Sequence, residues 1–325
     1  MIREDIALEE SPYASVRVAV MRTLLIPKKD YQKLMNMSLA EISNYLGETQ
    51  YRKEINELAP SFSGIELIEK ALNRNYSTTI GKLKKISPEP YRDVINAYLL
   101  RNDSENIKTI IRGIIGKIPG AKIKEMLLPD GMLKAEKLAE KNSVEDLLEA
   151  LTAPFKGMAK NDIFSMENET DHRYFRYAIS LADRMPEHGM LFKEFLLGLI
   201  EITNVLAFLR LWRNKEKDIG RHIFYTRRPL VKKLISASSK EEISKILSES
   251  EYGLKLEDSL IPIEVALSRH IFRKTLVFQH QEPLSVYVVL GYLFAKEIEI
   301  RNVRRIIQAK HLGMEMRAVE EQIIA

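Results

Sequence analysis

The chain has 325 residues, 45% of them apolar, and carries 50 Lys and Arg against 45 Asp and Glu, for a net charge of +5. That length allows two or three ordinary domains, each with its own core. The absence of cysteine excludes disulfide frameworks and thiolate metal sites and fits a reducing compartment; the small, dispersed positive excess lacks the dense basic stripe of a nucleic-acid binder.

The first residues, MIREDIALEE, put acids where a secretion signal needs a basic start and an apolar run, so export is not expected. From about Tyr13 the pattern is helical. Ser38 has an acid three places on, Glu41, and then Ile42 and Leu46 on one face. Such a serine accepts from the amide three residues ahead while the acid reaches back, a paired helix start. Pro60 to Gly64 and Pro88 to Pro90 break the pattern. Between Tyr91 and Leu100 the chain is apolar on most sides, as a central helix is. Pro119-Gly120 and Pro129 to Gly131 are further breaks.

Ser143 and Asp146 set up a second helix start, with Val144, Leu147, Leu148 and Leu151 on one face. After the break at Pro186 to Gly189 comes a second central helix, Phe192 to Leu209. Its apolar part, Phe195 to Leu209, is the best candidate for a membrane span, but it contains Glu201 and is flanked by Lys193, Glu194 and Arg210. The next, Pro283 to Ala295, falls short of the roughly 20 residues a bilayer needs. No span is therefore expected. Ser239 and Glu242 give a third start, with Ile243, Ile246 and Leu247 inward and Lys240, Glu241 and Lys245 outward. A third central helix, Val286 to Ile300, precedes the tail, Asn302 to Ile324. Alternating β patterns of useful length are missing, so the expected fold class is all-α.

These elements repeat. Asn106, Asn204 and Asn302 are spaced by 98 residues each time. Each follows an acid by three places (Asp103, Glu201, Glu299) and leads into an apolar pair. The serine starts close on an aromatic residue at Tyr51, Phe155 and Tyr252. Repeats of this kind set the architecture before any single residue does. The expected division is 1–110, 111–208 and 209–325. The first copy begins late and the tail after Asn302 lacks a serine start, so residues 302–325 are expected to complete the first copy. Three similar helical domains would then close around a pseudo-threefold axis, like a funnel; an open three-unit stack stays possible.

Catalytic signatures are missing. Gly81-Lys82 has Tyr76 where a phosphate loop needs glycine and Leu83 where it needs Ser or Thr. The histidines His172, His188, His222, His270, His280 and His311 have no zinc-ligand spacing. No Gly-x-Ser-x-Gly elbow exists. The basic groups Lys82 to Lys85, Arg227-Arg228 and Arg304-Arg305 are short and lack interleaved aromatics. No enzyme, cofactor, metal, nucleic acid or small-molecule substrate is expected. The repeated Asp103/Asn106, Glu201/Asn204 and Glu299/Asn302 pairs either satisfy local backbone or line a shared central pocket. Arg112, Arg210, Arg304 and Arg305 follow them and are placed to pair with acids across domain joints.

Two stretches resemble a known family: Pro12-Tyr13-Ala14-Ser15-Val16-Arg17 through Met21-Arg22, and Gly291-Tyr292-Leu293-Phe294-Ala295-Lys296-Glu297-Ile298-Glu299-Ile300-Arg301-Asn302-Val303-Arg304 with the turn Ala309 to Gly313. With the repeat and closing tail, the whole chain resembles the C subunit of the archaeal-type (A-type/V-type) rotary ATP synthase, the family of the vacuolar ATPase d (AC39) subunit. The resemblance implies a non-catalytic central-stalk subunit on the cytoplasmic side of the membrane. It would link the soluble shaft to the membrane rotor ring and pass torque for proton- or sodium-coupled ATP synthesis or hydrolysis. The residues expected to meet a partner are Asp103, Asn106, Arg112, Glu201, Asn204, Arg210, Glu299, Asn302, Arg304 and Arg305. The alternative is a helical scaffold of another cytoplasmic or membrane-associated assembly.

Overall fold

A computed structural model of the chain describes residues 2–185, 189–224, 229–281 and 283–324, without the side chains of 2–11 and 278–281. The break at Pro186, His188 and the pair Arg227-Arg228 therefore lie outside the described residues, as does the side chain of His280. The protein is all-α, 72% helical with no strand among the described residues. It folds as two compact units: residues 1–88, 201–216 and 227–325 form one, and 89–200 with 217–226 the other.

The first unit opens with α1 (Ile2–Thr23), α2 (Lys28–Asn36), α3 (Leu39–Gly47), α4 (Arg52–Leu58) and α5 (Gly64–Ile86). Helix α1 runs through Pro12. At Ser38 both halves of the expected start are present, Glu41 N donating to Ser38 Oγ and Ser38 N to Glu41 Oε2. In the second unit, α6 (Glu89–Ile115), α7 (Gly120–Glu125), α8 (Ala135–Leu138), α9 (Val144–Ala150) and α10 (Ile163–Ala182) follow. Ser143 accepts from Asp146 N at 3.1 Å, the serine half of the pattern, where the acid is one methylene shorter than Glu41. Helix α11 (Gly189–Arg213) contributes residues to both units. The first unit is completed by α12 (Pro229–Ser236), α13 (Lys240–Ser248), α14 (Ile261–Gln281), α15 (Val286–His311) and α16 (Met316–Glu320). At α13, Glu242 N donates to Ser239 Oγ, but the glutamate reaches the amide of Ser238 rather than Ser239.

Helix α15 is the core of its unit. Most of its length is buried, polar residues such as Lys296, Glu299 and Asn302 included, and its main described neighbours are α1, α2, α5, α14 and α16; the apolar run Val286 to Ala295 must be enclosed this way. In the other unit α6 holds the same place, packed on α7, α8, α9 and α10. Helix α11 is long and apolar enough by length and composition to cross a membrane, which the charges flanking Phe195 to Leu209 do not prevent. Yet 67% of its most apolar window is buried inside the protein.

The 98-residue period is also written in the backbone. Lys117, Lys215 and Gly313 all have left-handed φ, at 54°, 57° and 65°, and each ends one of the long helices. The bond that wraps each end is in the same register: Ile118 N to Gly113 O at 2.8 Å, Glu216 N to Leu211 O at 3.0 Å and Met314 N to Ala309 O at 2.8 Å. This turn satisfies helix-end carbonyls and favours glycine at its left-handed residue. Only the third copy uses glycine. A Cβ at Gly313 would meet nothing within 4 Å, so any cost of adding one is conformational.

Helices α6 and α10 share one ionic group around the buried Lys108, whose acid partners Glu105 and Asp171 are partly exposed. Lys108 Nζ lies 2.8 Å from Glu105 Oε1 and 2.9 Å from Asp171 Oδ1, and Ser104 Oγ donates to Asp171 at 2.7 Å. Burial alone would lower the Lys108 pKa, but Asp171 and Glu105 outweigh it and hold it above the ordinary value. A lysine raised in the folded state stabilises fully below its unfolded pKa, and that contribution is lost as pH rises through the folded one. Lys108→Met is therefore expected to lower unfolding free energy by about 2 kcal/mol at neutral pH, with the deficit shrinking above about pH 10.4. Urea midpoints at pH 8 and in that alkaline range measure it; a deficit that does not change with pH would mean the lysine acts by packing alone.

The left-handed lysines give a second test. Lys117→Gly should raise stability by about 0.5–1 kcal/mol, since strain of about 1–2 kcal/mol is relieved against the entropy of a freer glycine. Gly313→Ala should lose about 1 kcal/mol. Denaturation midpoints moving the same way in both variants would refute the assignment.

Candidate functional site

The three acid–asparagine pairs are buried, Asp103 and Asn302 at 0% exposure and the other four at 2–3%. In α6, neighbouring turns bring Asn102, Asp103 and Asn106 to the segment 126–134. Asn106 binds Leu128 at both ends, its Oδ1 accepting from Leu128 N at 2.7 Å and its Nδ2 donating to Leu128 O at 2.9 Å. Asn102 Nδ2 donates to Pro129 O at 2.9 Å. The Asp103 carboxylate accepts from Met132 N at 2.7 Å and Leu133 N at 3.0 Å. This segment has no ladder to pair its peptides, and unpaired buried peptides are costly. Burial pushes the Asp103 carboxyl upward, against the pull of those two amides. Gly131 passes so close that a Cβ there would sit 2.1 Å from Asp103 Oδ1, so a larger residue would push that carboxylate off its amides.

In α15 the same spacing recurs. Asn302 Nδ2 donates to Ile324 O at 2.7 Å and Ile324 N donates to Asn302 Oδ1 at 3.1 Å. Both clamps reach 22 residues ahead. Glu299 collects four donors: Ile26 N at 2.5 Å, Tyr51 OH at 2.5 Å, Lys296 Nζ at 2.8 Å and Gln50 Nε2 at 3.1 Å. Lys296 also donates to Tyr51 OH at 2.9 Å and lies 4.1 Å from the centre of that ring. Burial lowers the ammonium pKa of Lys296 against the opposing pull of Glu299. Burial, and then Glu299, raises the Tyr51 phenol well above its ordinary value.

In α11, Glu201 accepts from Tyr252 OH at 2.6 Å, and the Tyr252 ring stands edge-on to His270 at 4.7 Å. Asn204 is buried beside it in sequence. The residue 22 places beyond Asn204 is Thr226, outside the described residues. Tyr51 and Tyr252 each stand 13 residues after a capping serine, and each gives its hydroxyl to a repeated glutamate. In the remaining copy that aromatic is Phe155, fully buried and without a hydroxyl. There Asp103 takes backbone amides instead.

The arginines divide. Arg112 is exposed and grips Glu167 with two nitrogens, Nη2 at 2.7 Å from Oε2. Arg210 is exposed. Arg304 is partly buried against Glu69, at 2.7 Å, and Asn73. Arg305 donates to Gln322 O at 2.6 Å, and burial, reinforced by Arg301, lowers its pKa. Arg269 donates to Ile323 O at 2.6 Å, so Gln322, Ile323 and Ile324 are all held by side chains.

The structure thus brings Asp103 with Asn106, and Glu299 with Asn302, onto main chain of their own unit. Within the described structure solvent reaches Arg112 and Arg210 most freely among the expected contact residues. Sequence reasoning missed Lys296, Asn102, Gln50 and Arg269. Lys296 had a signal: it precedes Glu299 by three places and directly follows the apolar run Val286 to Ala295. Among the described residues no group of three His, Asp or Glu is placed to hold a metal ion.

Comparison with known proteins covers nearly the whole chain. The family model described as ATP synthase (C/AC39) subunit matches residues 14–322. The A-type ATP synthase C subunit of Methanococcoides burtonii is 30% identical, covering 96% of this chain and 93% of its own. The C subunits of Haloquadratum walsbyi and Archaeoglobus fulgidus are each 28% identical over 96% of this chain, covering 97% and 95% of theirs.

Asn106→Ala and Asn302→Ala each leave one buried donor and one buried acceptor unpaired, at about 1–3 kcal/mol for each group. Each is expected to cost about 2–6 kcal/mol on that basis, and to speed amide exchange first at its own partner, Leu128 or Ile324. Exchange rising equally across the whole unit would show that the clamp has no local role.

Proposed function

The chain belongs to the ATP synthase (C/AC39) subunit family, and on that premise we propose that it is the central-stalk socket between the soluble shaft and the membrane rotor ring. It is a non-catalytic accessory subunit of an A/V-type ATP synthase. In this reading it carries torque between the two, for proton- or sodium-coupled synthesis or hydrolysis of ATP, as a peripheral protein on the cytoplasmic side. The observation that carries the reading is the family match across residues 14–322 of an all-α chain.

Three quasi-equivalent domains, 1–110 closed by 302–325, 111–208 and 209–325, would give a funnel for the foot of the shaft. The recurrence of one helix-end turn at Lys117, Lys215 and Gly313 supports three copies of one skeleton. The buried acids and asparagines serve this role by holding main chain, as they do at 126–134 and 322–324. Direct partner contact falls to exposed cations such as Arg112 and Arg210. It is not asked of Arg304, which pairs with Glu69 and Asn73 of α5, or of Arg305, which holds the tail at Gln322. The net charge of +5 suits a place near an anionic membrane.

Mixed with purified shaft subunits, the chain should give a one-to-one complex by native mass spectrometry. Arg112→Gln with Arg210→Glu should weaken that complex; the lost Arg112–Glu167 pair should cost about 1 kcal/mol of stability, so a melting curve is recorded beside the binding measurement. Reconstituted without this subunit, the holocomplex should lose coupled ion transport while its soluble head still hydrolyses ATP. A failure to bind the shaft, with coupling intact, would return the chain to the class of general helical scaffolds.

A further inference from the structure

The turn that ends α6 differs from its two counterparts in chemistry. Residues 112–124 read RGIIGKIPGAKIK: four cations and no acid. Arg112 and Lys124 are spoken for, by Glu167 and by Glu140 at 2.6 Å. Lys117 and Lys122 are exposed and form no ion pair among the described residues. Around them Ile115, Ile118 and Met126 are 44%, 38% and 58% exposed. The corresponding turn of α11, Asn214 to Asp218, alternates charges of both signs. That of α15 exposes Leu312 and Met314 but has glycine where α6 has Lys117.

Lys117 stands where the backbone favours glycine, at φ 54°, and its side chain helps no described neighbour. A strained residue of this kind points to a use outside the fold. We propose that this turn, in the second unit, is a contact for an anionic lipid surface, with Lys117 and Lys122 at the headgroups and Ile115, Ile118 and Met126 against the acyl boundary. The setting, though not the chemistry, rests on the reading of the chain as a subunit beside a membrane rotor.

Composition decides between lipid and an acidic protein. Protein interfaces are depleted in Lys and enriched in Arg and aromatic residues. This patch offers two unpaired lysines, isoleucine and methionine, with one exposed acid, Glu125, and no aromatic from 112 to 126. Lysine stems can lie along such an apolar surface while their ammonium groups reach the headgroups. The patch is small, so the attraction is chiefly electrostatic and salt-sensitive.

The test is co-sedimentation of the full chain at low salt with vesicles containing phosphatidylglycerol, beside vesicles of phosphatidylcholine alone. Binding is expected to the first, weak binding to the second, and release by added salt. Lys117→Gly keeps the left-handed turn and removes only the charged side chain. It should lower the partition coefficient about fivefold, the effect of one cation at an anionic surface, without lowering the melting temperature. Lys117→Gly with Lys122→Gln should lower it about 25-fold on the same scale. Lys215→Gly, the same turn without the apolar neighbours, should bind as the parent does.

Equal binding to both vesicle types, an unchanged partition for Lys117→Gly, or an equal loss for Lys215→Gly would each overturn the proposal. So would a shaft complex lost in Lys117→Gly with vesicle binding intact, which would assign the turn to an acidic protein. Anionic-vesicle binding by a chain that forms no shaft complex would leave this inference standing and remove the stalk function instead.

Discussion

Buried main chain outside helices must find hydrogen-bond partners, and among the described residues there is no sheet to supply them. The rest of the structure depends on how that demand is met. An asparagine side chain is itself an amide, with one acceptor and two donors, so it can pair with both polar groups of one residue. Asn106 does this for Leu128 and Asn302 for Ile324. The acid one turn earlier, an acceptor only, takes what the amide cannot: two more N–H groups at Asp103, and Ile26 N at Glu299. Acid and amide are thus complementary halves of one device. It lets a helix enclosed on most sides organise the irregular chain around it.

The device is costly where it is deepest. A buried ion loses several kcal/mol of hydration, and a buried pair recovers this only with good geometry and further hydrogen bonds. Glu299 has four donors from four residues, three of them far from α15 in sequence. Lys296, at 0% exposure, has Glu299, the Tyr51 hydroxyl and the Tyr51 ring. The lowered pKa of Lys296 means that burial still outweighs these gains for the ammonium. Such a group adds little net stability. Its effect is registration, because Ile26, Gln50, Tyr51 and α15 satisfy one another in a single arrangement.

Helix type, the three central helices and the serine starts were legible because they rest on periodicity and local capping. The 98-residue spacing marked the asparagines without revealing their role. That role could not be read, since Leu128 and Ile324 are held through main-chain atoms that every residue type but proline presents. Tyr51 and Tyr252 were visible as closing aromatics, but only the structure joins their hydroxyls to Glu299 and Glu201. The left-handed helix ends were hidden for the opposite reason. Sequence reading looks for glycine there, and two of the three copies carry lysine.

Differences among the copies bear on the proposed coupling role as much as their likeness does. A socket between a ring of many equal subunits and a shaft with one orientation needs a regular skeleton and unequal surfaces. The skeleton is regular: three helix ends share φ values and wrapping bonds at a constant 98-residue offset. The chemistry built on it is not, with Phe155 in place of a tyrosine and glycine in place of a lysine. Substitutions that keep a backbone turn while changing its side chain alter what the surface can bind and leave packing untouched. Torque transmission also requires that load not be dissipated in loops. Clamping irregular segments to the most buried helices makes them move with the dense core, whose packing gives it low compressibility.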